Sequence, residues 1–315
     1  MNTNISFQDI QQAHQIISKF AHRTPVLTCS AINKITHTNL FFKCENFQKV
    51  GAFKFRGAIN AISNISKKEL KKGVATHSSG NHAAALALAA KLMNVPAYIV
   101  MPETAPEIKK KAVAGYGAKI TFCKPTLEAR ELELQKIVNK TEANFIHPYD
   151  NDFIIAGQAT AAKELIENYG DFDIIMAPVG GGGLLSGTSI STKNLLPKAK
   201  IIAGEPEEAD DAYRSFCGKK LYPSVSPTTI ADGLLTSLSE RTFKIISENV
   251  SEIITVPEKL IIAAMKTVWE RMKIIIEPSS AVPLAAILKQ PDKFENKKIG
   301  IIISGGNVDL SKLPW

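Results

Sequence analysis

The chain has 315 residues, of which 45% are hydrophobic and 22% charged, a balance that supports two packed domains and excludes disordered and fibrous classes. Its formal charge of +8 comes from lysines scattered over solvated helix faces, as in "SKKELKKG", without the interleaved aromatics of a nucleic-acid stripe, so no nucleic-acid partner is expected. Cys29, Cys44, Cys123 and Cys217 lie far apart and form no CxxC pair, which argues against a zinc site or a disulfide framework and fits a reducing, cytoplasmic setting.

The opening "MNTNISFQDIQQAHQII" lacks the basic start and apolar core of a secretory signal. No membrane partner is expected either. The longest apolar run, "AAALALAAKLMNVPAYIV", is interrupted by Lys91, Asn94 and Pro96 and reads as helix, turn and strand. Before it stands "GAFKFRGAIN", where Lys54 sits between Phe53 and Phe55 with a glycine on either side. Such a lysine either snorkels at a helix start or is desolvated with a lowered pKa, as a Schiff-base nucleophile requires; ten residues leave both open.

From Gly73 the order is strand "GVATH", loop "SSGN", an alanine-rich helix and strand "PAYIVMP", with two more strand and helix candidates before the turn-rich "HPYDNDFI". At Asp171 the order recurs as "DFDIIMAPV", "GGGG", "LLSGTSISTKNLL" and "AKIIAGEP", and "KKIGIIISGGNVDL" closes the chain. This alternation predicts an α/β protein of two domains, with mostly parallel sheets flanked by helices and a ligand cleft at the carboxyl ends of the strands. Residues 1–72 and 151–315 are expected to form the large domain and 73–150 the small one.

Three small-residue loops fall at those strand ends. In "VGGGGLLSG", Gly180 to Gly183 can turn successive N–H groups onto a phosphate at a helix N-terminus; a flexible turn is the plainer alternative, but it explains poorly a place between buried strand and helix. The loop is not a P-loop, because Thr188 follows Gly187 where a lysine is needed. Gly181 and Gly183 begin a GxGxxG pattern that Ser186 fails to complete, and Glu205 lies at about the distance of a ribose contact, so an NAD-binding oxidoreductase stands as an alternative of another class. In "HSSGNHA", Ser78, Ser79, Gly80, Asn81 and His82 make a cup for a carboxylate or, more plainly, a helix cap. Ser304 in "SGGN" offers a neutral hydroxyl that can be a cap and nothing more.

Together, "KCENFQKVGAFKFRGA", "SSGNHA", "PVGGGGLLSG", "GEPEEADDAY", "TIADG", "RMKIIIEP" and "SGGNVDL" resemble the serine racemase and serine/threonine dehydratase family, including its threo-3-hydroxyaspartate dehydratase branch. These are pyridoxal-phosphate enzymes of the tryptophan-synthase-β type (fold type II), and the motifs run in order over nearly the whole chain. The resemblance implies pyridoxal phosphate in the interdomain cleft, joined to Lys54, stacked near Phe53, with its phosphate on Gly180, Gly181, Gly182 and Gly183, its phenolic oxygen at Asn81 and its pyridine nitrogen facing Ser304. It implies Lys54 as the base that takes the Cα proton and Ser79 as the proton carrier on the opposite face. Ser78 to His82 would hold the substrate carboxylate, with Arg130 and Thr236 serving a larger polar side chain; a surface salt bridge is the plainer alternative for Arg130.

The implied reaction is loss of water from a small β-hydroxy amino acid (serine, threonine or 3-hydroxyaspartate) to give a 2-oxo acid and ammonia, with serine racemisation accompanying or competing; a dedicated serine racemase is the alternative. Glu205, the Ala209 carbonyl and Asp211 match a divalent-cation site of the family, and two carboxylates with a backbone oxygen suit Mg²⁺, Mn²⁺ or Ca²⁺; an acidic helix start is the alternative. A homodimer is implied as well. Val50 and Ala84 depart from the threonine and glutamine that animal serine racemases carry near an ATP effector site, which puts an ATP effector in doubt. Tyr149 replaces an asparagine of the racemases and, with Ala83, leans toward the 3-hydroxyaspartate branch. The chain ends soon after "SGGNVDL", so isoleucine control through a C-terminal regulatory domain is not expected.

Overall fold

The computed structural model describes residues 5–78, 80–105 and 107–315. Strands β1 (Val26–Leu27) and β2 (Asn39–Cys44) come first in the chain. They are followed by β3 (Val74–His77), β4 (Ala97–Pro102), β5 (Lys119–Cys123) and β6 (Asn144–Phe145). The last four are β7 (Ile174–Pro178), β8 (Lys200–Pro206), β9 (Glu252–Val256) and β10 (Lys298–Ile303). They form two sheets, one in the order β1-β2-β10-β7-β8-β9 and one in the order β5-β4-β3-β6. Every pairing is parallel except that of β1 with β2. This is the mostly parallel, helix-flanked α/β architecture that the strand and helix alternation predicts.

The central strands are buried on both faces, which is why "IIMAP" and the end of "KIGIII" read as unbroken apolar runs. The smaller sheet does not stand apart from the larger unit. Phe55, Ile59 and Ile62 of the helix Lys54–Ser63 share one apolar cluster with Ala83 and Leu86 of the helix Asn81–Leu92 and with Ile154 and Ile155 of the helix Asp152–Tyr169.

The helix that begins with Lys54 is held in rotation from behind. At its crossing with Asp152–Tyr169, a Cβ added to Gly157 would lie 2.6 Å from the Gly57 Cα, so two glycines bring the backbones nearly into contact. Arg56, fully buried, donates through Nε and Nη2 to Glu45 at 2.7 and 2.8 Å and through Nη1 and Nη2 to Glu164 at 2.8 and 2.9 Å. Lys43 completes a buried quartet by donating to Glu164 at 2.6 Å and to the Thr24 carbonyl at 2.8 Å. Because residues two apart lie on opposite sides of a helix, nailing Arg56 to the rear turns Lys54 toward the space between the sheets. Among the described residues, no helix is long and apolar enough to cross a membrane.

Candidate active site

Two helices start at the carboxyl ends of parallel strands without a side-chain cap. The helix Asn81–Leu92 follows β3 through Gly80, and the helix Gly183–Leu195 follows β7 through Gly182, whose φ of 85° belongs to the left-handed region open to glycine. Elsewhere, Thr126, Asn151 and Ser239 cap their helices with side-chain oxygens. The loop Gly180 to Gly183 is buried, and among the described residues the N–H groups of Gly181, Gly182 and Gly183 meet no backbone or side-chain acceptor. Buried N–H groups are rarely left so, and here they converge at a helix N-terminus; the site fits a bound anion.

The space on the other side of that loop is filled. A Cβ on Gly180 would lie 2.8 Å from the Leu234 Cα, and one on Gly181 would lie 2.4 Å from a Tyr149 ring atom. Gly183 has Tyr149 at 2.9 Å, so the loop must be glycine to pass between Leu234 and Tyr149. Lys54 approaches from the same side: its Nζ donates to the Pro148 carbonyl at 2.9 Å and stands 5.1 Å from the centre of the Phe53 ring. Burial lowers its pKa to about 8, against an opposing pull from Glu277. Of the two readings of this lysine, the bond to the Pro148 carbonyl and the lowered value fit the desolvated amine better.

The backbone binds this lysine to the third loop. The Phe53 N–H donates to the Ser304 carbonyl at 2.9 Å, and Ala52 bridges Gly305. The buried Ser304 hydroxyl lies 3.0 Å from that of Ser280, which donates to the Gly305 carbonyl at 2.7 Å and accepts its N–H at 2.8 Å. From the smaller sheet, Asn81 reaches across to Glu277, and Ser78 Oγ accepts the Gly80 N–H at 3.3 Å. His82 is buried with Nε2 3.3 Å from the Ile146 carbonyl; burial first, then the Lys54 charge, holds it well below the ordinary histidine value, so it is neutral. His147 is also neutral, its pKa lowered by burial to about 4, and its Nδ1 accepts the N–H groups of Tyr149 and Asp150 at 3.3 and 2.8 Å. Ser79 lies outside the described residues.

Other expected site residues fall less centrally. Arg130 donates to the Thr126 carbonyl of its own helix at 3.4 Å, and its charge is felt by His77, which burial has already lowered to about 4. Thr236 is exposed, and burial raises the Tyr149 phenol to about 12. Glu205 caps the helix Asp211–Gly218, accepting the N–H groups of Ala212 and Tyr213 at 2.8 and 2.7 Å. Asp211 Oδ2 is buried with no partner in the structure, and burial raises both acids, Asp211 to about 6 and Glu205 well above the ordinary range. No group of three or more histidine, cysteine or acidic side chains gathers for a metal among the described residues. Sequence reasoning missed Glu277 and Asn307 as site residues. Their signals were a lone acid in "IIIEP" and the last residue of "SGGN".

A desolvated lysine, a buried glycine loop with unpartnered N–H groups and a second open helix N-terminus, at the carboxyl ends of parallel strands, suit an enzyme that works through a phosphorylated carbonyl cofactor. The family model for pyridoxal-phosphate dependent enzymes matches residues 17–305, and the chain belongs to that family. It is 54% identical over 313 residues to a serine racemase of Dictyostelium discoideum, covering 98% of this chain and 97% of that one. It is 48% identical over 310 residues to a beta-hydroxyaspartate dehydratase of Paracoccus denitrificans, covering 98% of both. The crystal structure of the Dictyostelium serine racemase superposes with a TM-score of 0.94 over 98% of this chain and 100% of that one. The fold is that of fold type II pyridoxal-phosphate enzymes, and the dinucleotide reading of the glycine loop falls.

Proposed function

We propose that the protein removes water from small β-hydroxy amino acids, releasing a 2-oxo acid and ammonia, and racemises serine as a second activity at the same site. The observation that carries this is a lysine lowered to about 8 in a cleft whose third loop offers the Ser304 hydroxyl and no carboxylate of its own. Bound pyridoxal phosphate supplies a sink for the electron pair left when the Cα proton departs. Lys54, about half of it a neutral amine near pH 8, takes that proton, and the N–H groups at the start of Asn81–Leu92 hold the substrate carboxylate. Ser304 would meet the ring nitrogen with a hydroxyl, which does not keep that nitrogen charged, and this favours prompt loss of the β-hydroxyl over a long-lived carbanion. Ser79 would carry the proton on the opposite face during racemisation.

The two relatives act, by their names, as a serine racemase and as a beta-hydroxyaspartate dehydratase. Tyr149 packed on the glycine loop, its phenol beside Thr236, favours the dehydratase as the main activity, with Arg130 available to a second carboxylate. Residues 73–150 would close over the substrate while 1–72 and 151–315 hold the cofactor. The orphaned Asp211 Oδ2 beside Glu205 supports a structural divalent cation completed by the Ala209 carbonyl. A homodimer goes with this reading, and Ile275 and Trp315 are exposed apolar side chains that a second copy would cover. Serine, threonine and 3-hydroxyaspartate should be assayed in every stereoisomer for oxo acid and for the chirality of recovered amino acid. Absence of oxo acid from all of them would remove the dehydratase reading.

A further inference from the structure

Glu277 is a buried carboxylate, 2% exposed, whose charge reaches Lys54 and to which the reading above gives no task. A chain of hydrogen bonds shows what it does. It starts at Val50, which holds φ 59° and ψ 13°, a left-handed conformation that a β-branched residue adopts only under strain. The strained turn presents the Val50 carbonyl to Asn307, whose Nδ2 donates to it at 2.7 Å. A carbonyl oxygen only accepts, so this contact decides which end of the Asn307 amide is the nitrogen.

The same Nδ2 donates to Asn81 Oδ1 at 2.9 Å, which in turn decides the orientation of the Asn81 amide. Asn81 Nδ2 then faces Glu277, at 3.0 Å from Oε1 and 3.1 Å from Oε2. The two carboxylate oxygens subtend a far narrower angle at that nitrogen than its two N–H bonds do, so one hydrogen is shared between them. The other hydrogen has no partner among the described residues. Glu277 is held in its turn: Oε2 accepts the Asn307 N–H at 3.2 Å, and Oε1 lies 2.8 Å from where a Cβ on Gly305 would stand. Burial first, and then Asp232, raises the Glu277 pKa to about 7, while the Asn81 amide, Lys109 and the Asn307 N–H pull it back toward the charged form.

We propose that Glu277 and Asn307 are positioning residues that, with the Val50 carbonyl, lock the Asn81 amide so that its free N–H is presented to the phenolic oxygen of the bound cofactor. The inference rests on the reading of Asn81 as the partner of that oxygen. A donor fixed in advance favours an anionic oxygen at no reorganisation cost, whereas an unlocked amide would turn either end to it.

The test is cofactor binding to the apoprotein, by equilibrium dialysis with pyridoxal phosphate and with 3-deoxypyridoxal phosphate, which lacks the phenolic oxygen. The wild type should prefer pyridoxal phosphate by about tenfold, the scale of one well-placed hydrogen bond to a charged oxygen. Asn307→Ala removes the donor that orients Asn81, and Glu277→Gln keeps the shape while placing one acceptor where two donors converge. Each should lose most of the preference, and Asn307→Ala, which leaves every charge around Lys54 in place, should also keep affinity for the deoxy analogue within about twofold of wild type, the range of a substitution that does not touch the remaining contacts. A thermal melt of each apoprotein identifies a variant that has lost its fold, and the other then decides. Retention of the full preference in the folded variants overturns the lock. A wild type that binds both compounds equally overturns the lock together with the placement of Asn81, and a protein that binds neither overturns the cofactor site itself.

Discussion

Replacing Arg56 by methionine should destabilise the protein by ~3 kcal/mol or more, since breaking one side of a buried ion pair leaves an uncompensated charge worth ~3–5 kcal/mol. The structure gives a second route to the same figure. Burial alone would raise Glu164, but Arg56 and then Lys43 outweigh it and hold its pKa at about 2. Against an unfolded glutamate near ~4.3, that corresponds to ~3 kcal/mol at neutral pH. The sign follows from the depression: this stability is fully present above the unfolded value and is lost as pH falls through about 2. Without Arg56, Glu45 and Glu164, 0% and 5% exposed at their side chains, share only Lys43, so the folded protein should take up a proton that the unfolded chain would not. The deficit of the variant should therefore shrink as pH is lowered from 8 to 5. Urea denaturation of wild type and Arg56→Met across that range measures it, and the double variant Arg56→Met/Glu164→Gln should recover part of the loss. A deficit below ~1 kcal/mol would be that of an exposed pair and would refute the argument, as would one that does not change with pH.

Capture of pyridoxal phosphate by the apoprotein should accelerate as pH rises through about 8, because burial lowers Lys54 and the neutral amine is the nucleophile; an inflection above 10, the ordinary lysine range, would contradict this. Lys54→Ala should yield no covalent adduct on borohydride reduction and no turnover, which mass spectrometry and the oxo-acid assay report. Gly181→Ala puts a methyl group 2.4 to 2.6 Å from three Tyr149 ring atoms, so cofactor affinity should fall by at least about tenfold and be partly regained in Gly181→Ala/Tyr149→Ala; unchanged affinity in the single variant would show that the loop yields. Chelation should lower the melting temperature and the activity together, with Mg²⁺ or Mn²⁺ restoring both. If Asp211→Asn retains its metal content and stability, Glu205 is a helix cap and no more.

The fold was legible because its strands are buried on both faces. "DFDIIMAPV" and "KKIGIIISGG" carry unbroken apolar runs, and each leads into glycine where the chain must turn at the strand's carboxyl end. The glycine loop was legible for the same reason, since four glycines between a buried strand and a helix have few other uses. What a single stretch could not show was the state of Lys54. Its neighbours Phe53 and Phe55 suggest an apolar setting, but the desolvation arises from Pro148 and the surrounding walls, far along the chain.

Orientation is harder to read than identity. Asn81 announces itself as polar at a helix start, and the sequence alone favours a plain cap. Its amide is instead assigned by Asn307 and Glu277, 226 and 196 residues away, and Asn307 is assigned by the carbonyl of Val50. None of these contacts has a local pattern, because a hydrogen bond between distant loops depends on where the sheets bring their ends and leaves no periodicity behind. The visible trace is Val50 itself, a β-branched residue next to a glycine where an asparagine or glycine would hold the left-handed turn with less strain. Relaxing that turn would withdraw the Val50 carbonyl from the Asn307 side chain and free both amides to rotate, leaving the Asn307 backbone N–H as the one fixed donor to the buried Glu277.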